Sequence, residues 1–73
     1  MKKTLYSKEH KYLIERLKQA RKDAGIDQMQ VANLLDVSQS YVSKVEAGQR
    51  RIDVIQLKEF AKIYKKTLNF FIK

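Results

Sequence analysis

Residues 28–47 read QMQVANLLDVSQSYVSKVEA, two apolar runs separated by a short interruption at Asp36. Ala32 is small, which suits two helices that cross at a steep angle and approach closely. Val37 follows the interruption and is expected to fill the turn. Aliphatic residues recur in both runs at the spacing of a helix with one apolar face, namely Val31, Leu34, Leu35, Val42 and Val45. The stretch therefore predicts two short helices packed across a tight turn.

Polar residues beside this stretch predict where further helices begin and end. Asp27 with Gln30, and Asp53 with Gln56, have the spacing of a capping box, in which side chain and backbone bond reciprocally. Glycine favours the left-handed backbone that ends a helix. Single N-caps are expected at Ser7, Ser38 and Thr67, and helix ends at Gly25 and Gly48. The chain is thus predicted to be an all-α, compact five-helix domain.

The last two predicted helices carry most of the aromatic residues. Ile55, Leu57, Phe60, Ala61 and Tyr64 are too many for one narrow stripe, so the fourth helix is expected to be well buried. The fifth is a short turn at 68–72. Its residues Leu68, Phe70, Phe71 and Ile72 are too crowded for all of them to be buried, so some are expected to face a second subunit.

Composition limits the chain to one domain and a few classes of partner. The 73 residues suffice for a basic N-terminal arm at 1–7 and a helical domain at 8–73. A hydrophobic content of 44% argues against disorder. The sequence has no cysteine, no apolar run of about 18 residues and no pattern of a secretory leader. A cytoplasmic protein that does not enter the membrane is expected.

The net charge of +8 predicts a polyanionic partner, and its distribution is uneven. Residues 1–24 and 49–73 each carry an excess of five positive charges. Residues 25–48 contain one lysine against three acids. A membrane-surface role is disfavoured, since no helix combines a basic face with a broad apolar one. If the centre reads a nucleic acid, polar side chains must do so while the flanks hold phosphates.

The third helix, at 38–47, has an exposed face suited to a groove of DNA. With Val42 and Val45 turned to the core, the opposite stripe is small and polar with one cation, and consists of Ser40, Ser43, Lys44 and Ala47. Gln39 lies at the N-terminal end of this helix, and glutamine can pair with adenine through two hydrogen bonds. The alternative interpretation is a solvated helix face without a ligand.

Three motifs in combination resemble the Cro/repressor-type helix-turn-helix, also called the lambda-repressor-like or Xre-type domain. They are Gly25-x-x-Gln28, Val31-Ala32 and Val42-Ser43-Lys44-Val45-Glu46-x-Gly48. The resemblance extends from about Leu13 to Phe71. It implies that the second and third helices form a helix-turn-helix and that helix 38–47 lies in the major groove.

The resemblance also implies roles for particular residues. The expected base-reading residues are Ser38, Gln39, Ser40, Ser43 and Lys44. Phosphate contacts are expected from Gln28, Tyr41, Gln49, Arg50 and Arg51. Glu46 lies towards the core and needs a partner, and the resemblance suggests a structural ion pair with Arg21. It further implies a dimer that uses the C-terminal residues 68–72. Asp36 departs from the family, which prefers glycine there, but aspartate tolerates a left-handed backbone.

The sequence therefore predicts a regulator, in first place a repressor, that binds a palindromic double-stranded DNA operator as a homodimer. The alternative is an antitoxin-like protein-interaction module with a toxin or other protein as partner and secondary DNA binding. An enzyme is not expected, since no catalytic set or phosphate loop is assembled and His10 is the single histidine. No metal, cofactor or small-molecule ligand is expected.

Overall fold

Residues 7–72 are described by the structure, a computed structural model. Its α-helices are α1 (Lys8–Ala24), α2 (Gln28–Leu35), α3 (Gln39–Glu46) and α4 (Val54–Tyr64), and a 3₁₀ turn follows at Leu68–Phe70. The described range contains no strand, so the all-α prediction is confirmed. Residues 1–6, which make up nearly all of the predicted basic arm, lie outside the described residues.

The prediction of a fifth helix is wrong, because the segment after α4 forms only a three-residue 3₁₀ turn, so the fold has four helices within residues 7–72. Thr67 precedes this turn but makes no side-chain capping bond. The backbone N–H groups of Phe70 and Phe71 bond to carbonyls only three residues back. So short a segment cannot offset the cost of starting an α-helix.

The helix starts follow the predicted caps. The hydroxyl oxygens of Ser7 and Ser38 accept hydrogen bonds from backbone N–H groups three residues on, each at 3.0 Å. Asp27 and Asp53 form complete capping boxes with Gln30 and Gln56. Each cap satisfies backbone donors that the first turn of a helix leaves free. Local hydrogen bonding thus determines where all four helices begin.

The turn between α2 and α3 is closed by Asp36. The backbone of Asp36 is left-handed, with φ 59°. The backbone N–H groups of Asp36 and Val37 donate to carbonyl oxygens of α2. The Val37 N–H reaches the Ala32 carbonyl at 3.0 Å. The expectation that aspartate could replace glycine here is confirmed. The tight turn sets α3 against α2. The two helices contribute Val31, Ala32, Val42 and Val45 to the buried core.

The core joins all four helices and the 3₁₀ turn. Its buried members are Ile14, Leu17, Ala20, Val31, Ala32, Val42, Val45, Leu57, Phe60, Ala61, Tyr64 and Phe71. Val37, expected to fill the turn, is 37% exposed. Two residues expected on the inner faces of helices are not buried either: Leu34 is 61% exposed and Ile55 is 59% exposed. They lie on the outer sides of α2 and α4, because the inner sides are already filled by Val31, Ala32, Leu57 and Phe60. Within the described range, no helix has the length and apolar character needed to cross a membrane.

Candidate nucleic-acid interface

The outer face of α3 presents the polar stripe that the sequence predicts. Gln39, Ser40, Ser43 and Lys44 are exposed, and so is Ala47 directly after the helix. The opposite face is anchored by Val42 and Val45, which are both fully buried. Ser38 is exposed as well, but its hydroxyl oxygen already accepts the capping bond from the Tyr41 N–H. A short helix held by its inner face therefore offers small polar side chains to a ligand.

A chain of hydrogen bonds connects α1 to the start of α3. Arg21 donates from Nε to Glu46 Oε2 at 2.8 Å and from Nη2 to Glu46 Oε1 at 3.0 Å. The Gln28 amide donates to Glu46 Oε1 at 3.0 Å, and Gln39 donates to Gln28 Oε1 at 3.5 Å. The hydrogen bond and charge of Glu46 raise the pKa of Arg21 above its ordinary value. Glu46, which is buried, thus holds groups from α1 and α2.

This network changes the interpretation of Gln28. The resemblance gave it a phosphate contact, whereas in the structure one N–H of its amide is bonded to Glu46. Its oxygen faces the Gln39 amide. An amide nitrogen carries two N–H groups, so one donor remains for a phosphate. The contact between Gln28 and Glu46 was missed because Arg21 alone was considered as the partner. A carboxylate can accept about four hydrogen bonds, which is the signal that further donors were needed.

Tyr41 of α3 and Arg50 of the following loop are in contact. The Arg50 guanidinium lies 4.9 Å from the centre of the Tyr41 ring, a cation–π distance. Tyr41 is half-buried, and burial raises the pKa of its hydroxyl although Arg50 acts in the opposite sense. The phenol is therefore protonated at neutral pH and can donate a hydrogen bond to an anion. Arg50 is exposed and has its charge next to this donor.

The loop after α3 carries three of the predicted phosphate-binding residues. Gly48 adopts a left-handed backbone, with φ 78°, and the Gln49 N–H bonds to the Lys44 carbonyl at 2.9 Å. This closes α3 and turns the chain towards Asp53 at the start of α4. Gln49, Arg50 and Arg51 are all exposed. The loop thus sets Arg50 against Tyr41 at the flank of α3, whereas Arg51 borders a separate groove with Glu9 and His10 of α1.

The C-terminal residues do not form one exposed apolar patch. Phe71 is fully buried in the core of its own chain, so its expected place in a dimer interface is corrected. Arg16 of α1 donates to the Phe70 carbonyl at 2.7 Å and its guanidinium lies 3.7 Å from the centre of the Phe70 ring. Phe70 is half-buried as a result, Leu68 is half-buried against the core, and of these four residues only Ile72 is well exposed, at 53%. Sequence reasoning missed this contact of Arg16.

Comparison with known proteins agrees with this geometry. A family model of helix-turn-helix domains, HTH_3, matches residues 17–71. The match includes α2, α3, the basic loop and α4, and its family comprises DNA-binding regulatory domains of the Cro/C1 type rather than enzymes. No curated protein matches the chain. Because the matched range covers well over half of the sequence, the chain belongs to the HTH_3 family of Xre-like, DNA-binding helix-turn-helix domains.

Proposed function

We propose that the protein is a sequence-specific repressor that binds a palindromic double-stranded DNA operator as a homodimer. The observation that carries this proposal is the exposed polar stripe of α3, which is backed by fully buried valines. A helix of this width fits the B-DNA major groove, which is about 12 Å wide. Small serines allow a close approach to the bases, while Gln39 and Lys44 supply longer donors.

Base reading is assigned to Gln39, Ser40, Ser43 and Lys44. Gln39 has an amide whose donor and acceptor match the N7 and N6 positions of adenine, and Lys44 can donate to guanine acceptors. Ser38 contributes at the edge of this set, because its hydroxyl oxygen also caps α3. The weak 3.5 Å bond from Gln39 to Gln28 holds the Gln39 side chain near α2 and is easily exchanged for a base.

Phosphate contacts are assigned to residues on both sides of α3. On the α2 side, Gln28 has one free amide N–H. On the loop side, the Tyr41 hydroxyl and the exposed side chains of Gln49, Arg50 and Arg51 are the donors. Contacts to phosphates hold the register of the helix, whereas contacts to base edges give the sequence preference.

Selection of bound sequences from random double-stranded DNA, at two salt concentrations, tests the proposal. We expect an enriched palindrome with half-sites about one helical turn apart. Gln39→Ala should relax the preference at one base pair per half-site, by about ten- to a hundredfold, because a good base contact contributes about 1–3 kcal/mol. Gln19→Ala, on α1, is the matched control and should leave the selected sequence unchanged. Failure to enrich any sequence would contradict the proposal.

A second candidate function is an antitoxin-like interaction with another protein. The observation that favours it is a groove of about 240 Å³ between α2 and α4, lined by Leu34, Leu35, Glu59, Lys62 and Ile63. Exposed aliphatic residues in a groove are typical of protein-binding surfaces. Leu34→Asp separates the two functions, since it should abolish capture of such a partner and leave the selected DNA sequence unaltered.

A further inference from the structure

A groove of about 330 Å³ lies between α1 and the C-terminal end of α3. One wall carries Lys11, Glu15 and Lys18 of α1, and the other consists of Glu46, Ala47 and Gly48. Lys11 and Lys18 are seven residues apart, so they lie on the same side of α1 two turns from each other. None of the contacts assigned so far to DNA uses this groove.

The groove is continuous with the face that we propose for the DNA major groove. Ala47 is exposed and belongs to the same stripe of α3 as Ser40 and Lys44. Ala47 and Gly48 are the two smallest residue types, so a DNA strand that passes the end of α3 can approach the backbone closely. Its phosphates then lie within reach of long side chains on the opposite wall.

Charge explains why cations from α1 are needed there. The segment 25–48 contains one lysine against three acids, and the C-terminal end of α3 is the negative pole of its helix dipole. A phosphate beside this end is repelled unless another element supplies positive charge. Glu46 is already neutralised by Arg21, at 2.8 Å.

The α1 wall supplies that charge. Lys11 is exposed and forms no ion pair with any residue in the range 7–72. Lys18 lies 3.5 Å from Glu15, but the Glu15 side chain is 73% exposed, so this pair is weak and is readily exchanged for a phosphate. Lys8 and Lys22 extend the same flank of α1 and add to its positive potential.

We propose that Lys11 and Lys18 bind a backbone phosphate of DNA in this groove, so that α1 is a third contact element beside α3 and the basic loop. This inference rests on the proposed function. It assigns to α1 a contact that carries affinity without sequence preference, because phosphates are the same at every base pair.

The test compares two double variants of equal charge. In one, Lys11→Gln and Lys18→Gln remove both cations of the groove. In the other, Lys58→Gln and Lys62→Gln remove two exposed lysines of α4 that form no ion pair within the described part of the chain. Fluorescence anisotropy gives Kd for the selected operator and for a random duplex over a series of KCl concentrations. Thermal unfolding verifies that each variant is folded.

The groove variant should lower the slope of log K against log salt by about 1, since one phosphate contact is lost, and weaken binding to both duplexes by a similar factor. The α4 variant should change the slope by much less. A variant with Lys11→Arg and Lys18→Arg keeps both positive charges, so its slope should equal that of the unmodified protein. Equal slopes for the two glutamine variants would overturn the inference while leaving the proposed function intact. Absence of salt-dependent binding by the unmodified protein would overturn both.

Discussion

Glu46 connects the hydrophobic core to the face of α3 that we propose for DNA. It is buried, and its two oxygens accept from Arg21 of α1 and from Gln28 of α2. A buried carboxylate is costly unless its charge and lone pairs are satisfied, so these contacts are a condition of the fold. Gln28 in turn touches Gln39, which means that Glu46 governs both the packing of three helices and the orientation of a side chain that we propose to read bases.

At the residue scale, Arg21→Ala is expected to destabilise the protein by roughly 2–4 kcal/mol, because it leaves Glu46 buried without its cation. The measurement is urea unfolding at pH 7. Adding Glu46→Gln to Arg21→Ala should recover part of the loss, since the amide needs no counter-charge. The exposed Lys18–Glu15 pair is the control, and Glu15→Gln should change stability by less than about 0.5 kcal/mol. Equal midpoints for the Arg21 and Glu15 variants would contradict this prediction.

Tyr64 leads to a prediction about alkaline pH. Its hydroxyl is buried without a hydrogen-bond partner, and burial raises the pKa of the phenol well above its usual value of 10.0. Above that pH the unfolded chain loses the proton while the folded chain keeps it, so stability falls as pH rises. Tyr64→Phe should therefore be as stable as the unmodified protein at pH 7, or slightly more so.

The difference between the two proteins should then grow by about 1 kcal/mol between pH 9 and pH 11, in favour of Tyr64→Phe. Urea unfolding of both proteins at the three pH values measures it, and the other tyrosines and lysines cancel in the comparison. The ring remains 6.1 Å from Phe60 in either protein, so packing is preserved. Parallel loss of stability by the two proteins would refute the assignment.

At the element scale, the ends of the helices depend on single left-handed residues. Gly25 has φ 72°, whereas Lys65, which ends α4, has φ 58° and carries a side chain. A side chain in this conformation costs about 1 kcal/mol, although glycine also loses more entropy on folding. We expect Lys65→Gly to stabilise the protein by about 0.5 kcal/mol.

The reverse change, Gly25→Ala, should destabilise it by about 1 kcal/mol through backbone strain alone, because a Cβ there meets no atom within 4 Å. Thermal unfolding detects both changes, since 1 kcal/mol corresponds to about 4–8 °C in a domain of this size. A loss of stability in Lys65→Gly would show that the lysine side chain contributes more at this position than its strain costs.

The helices differ in which of their features could be predicted from the sequence. The N-caps at Ser7, Asp27, Ser38 and Asp53 were predicted because each depends on hydrogen bonds within three residues. The exposure of Leu34 and Ile55 was not, because each helix contains more aliphatic residues than its inner face can bury. The burial of His10 on α1 is not indicated by the sequence either, because the choice of inner face depends on distant elements.

Some features of the candidate site could be predicted from the sequence, and others depend on contacts between distant residues. The polar stripe of α3 follows from the helical period once Val42 and Val45 are assigned to the core. The bond of Gln28 to Glu46 and the contact of Arg16 with Phe70 join residues 18 and 54 positions apart. No spacing rule links such pairs, so only the folded chain brings them together. The groove between α1 and α3 is likewise invisible in the sequence.

At the scale of the whole molecule, we expect different parts of the chain to supply the affinity for DNA and the sequence preference. The centre of the chain, with one lysine against three acids, provides the helix pair and the polar face that we propose to read DNA. The two basic flanks supply the cations, namely Arg50 and Arg51 in the loop after α3 and the lysines of α1. Most of the affinity should therefore come from the flanks and fall steeply with salt, while sequence preference resides in α3.

The proposed homodimer needs a contact surface between two copies of the chain. Since Phe71 is buried and Arg16 holds Phe70, the exposed Ile72 is the residue of the C-terminal set that can best meet a second subunit. It borders a groove of about 450 Å³ with Leu13 and Ile52. Ile72→Asp should raise the concentration at which dimers form by at least about tenfold, because a carboxylate would lose its hydration in an apolar contact.

Sedimentation equilibrium of the free protein measures this shift, with Leu34→Asp as a control that places the same charge in the separate groove between α2 and α4. Loss of the dimer should also weaken binding to the operator. Ile72→Asp should weaken binding to the full palindrome, where two linked α3 helices bind together, and leave binding to a single half-site nearly unchanged. If Leu34→Asp dissociates the dimer and Ile72→Asp does not, the two copies meet through α2 and α4 and the C-terminal turn serves only its own chain.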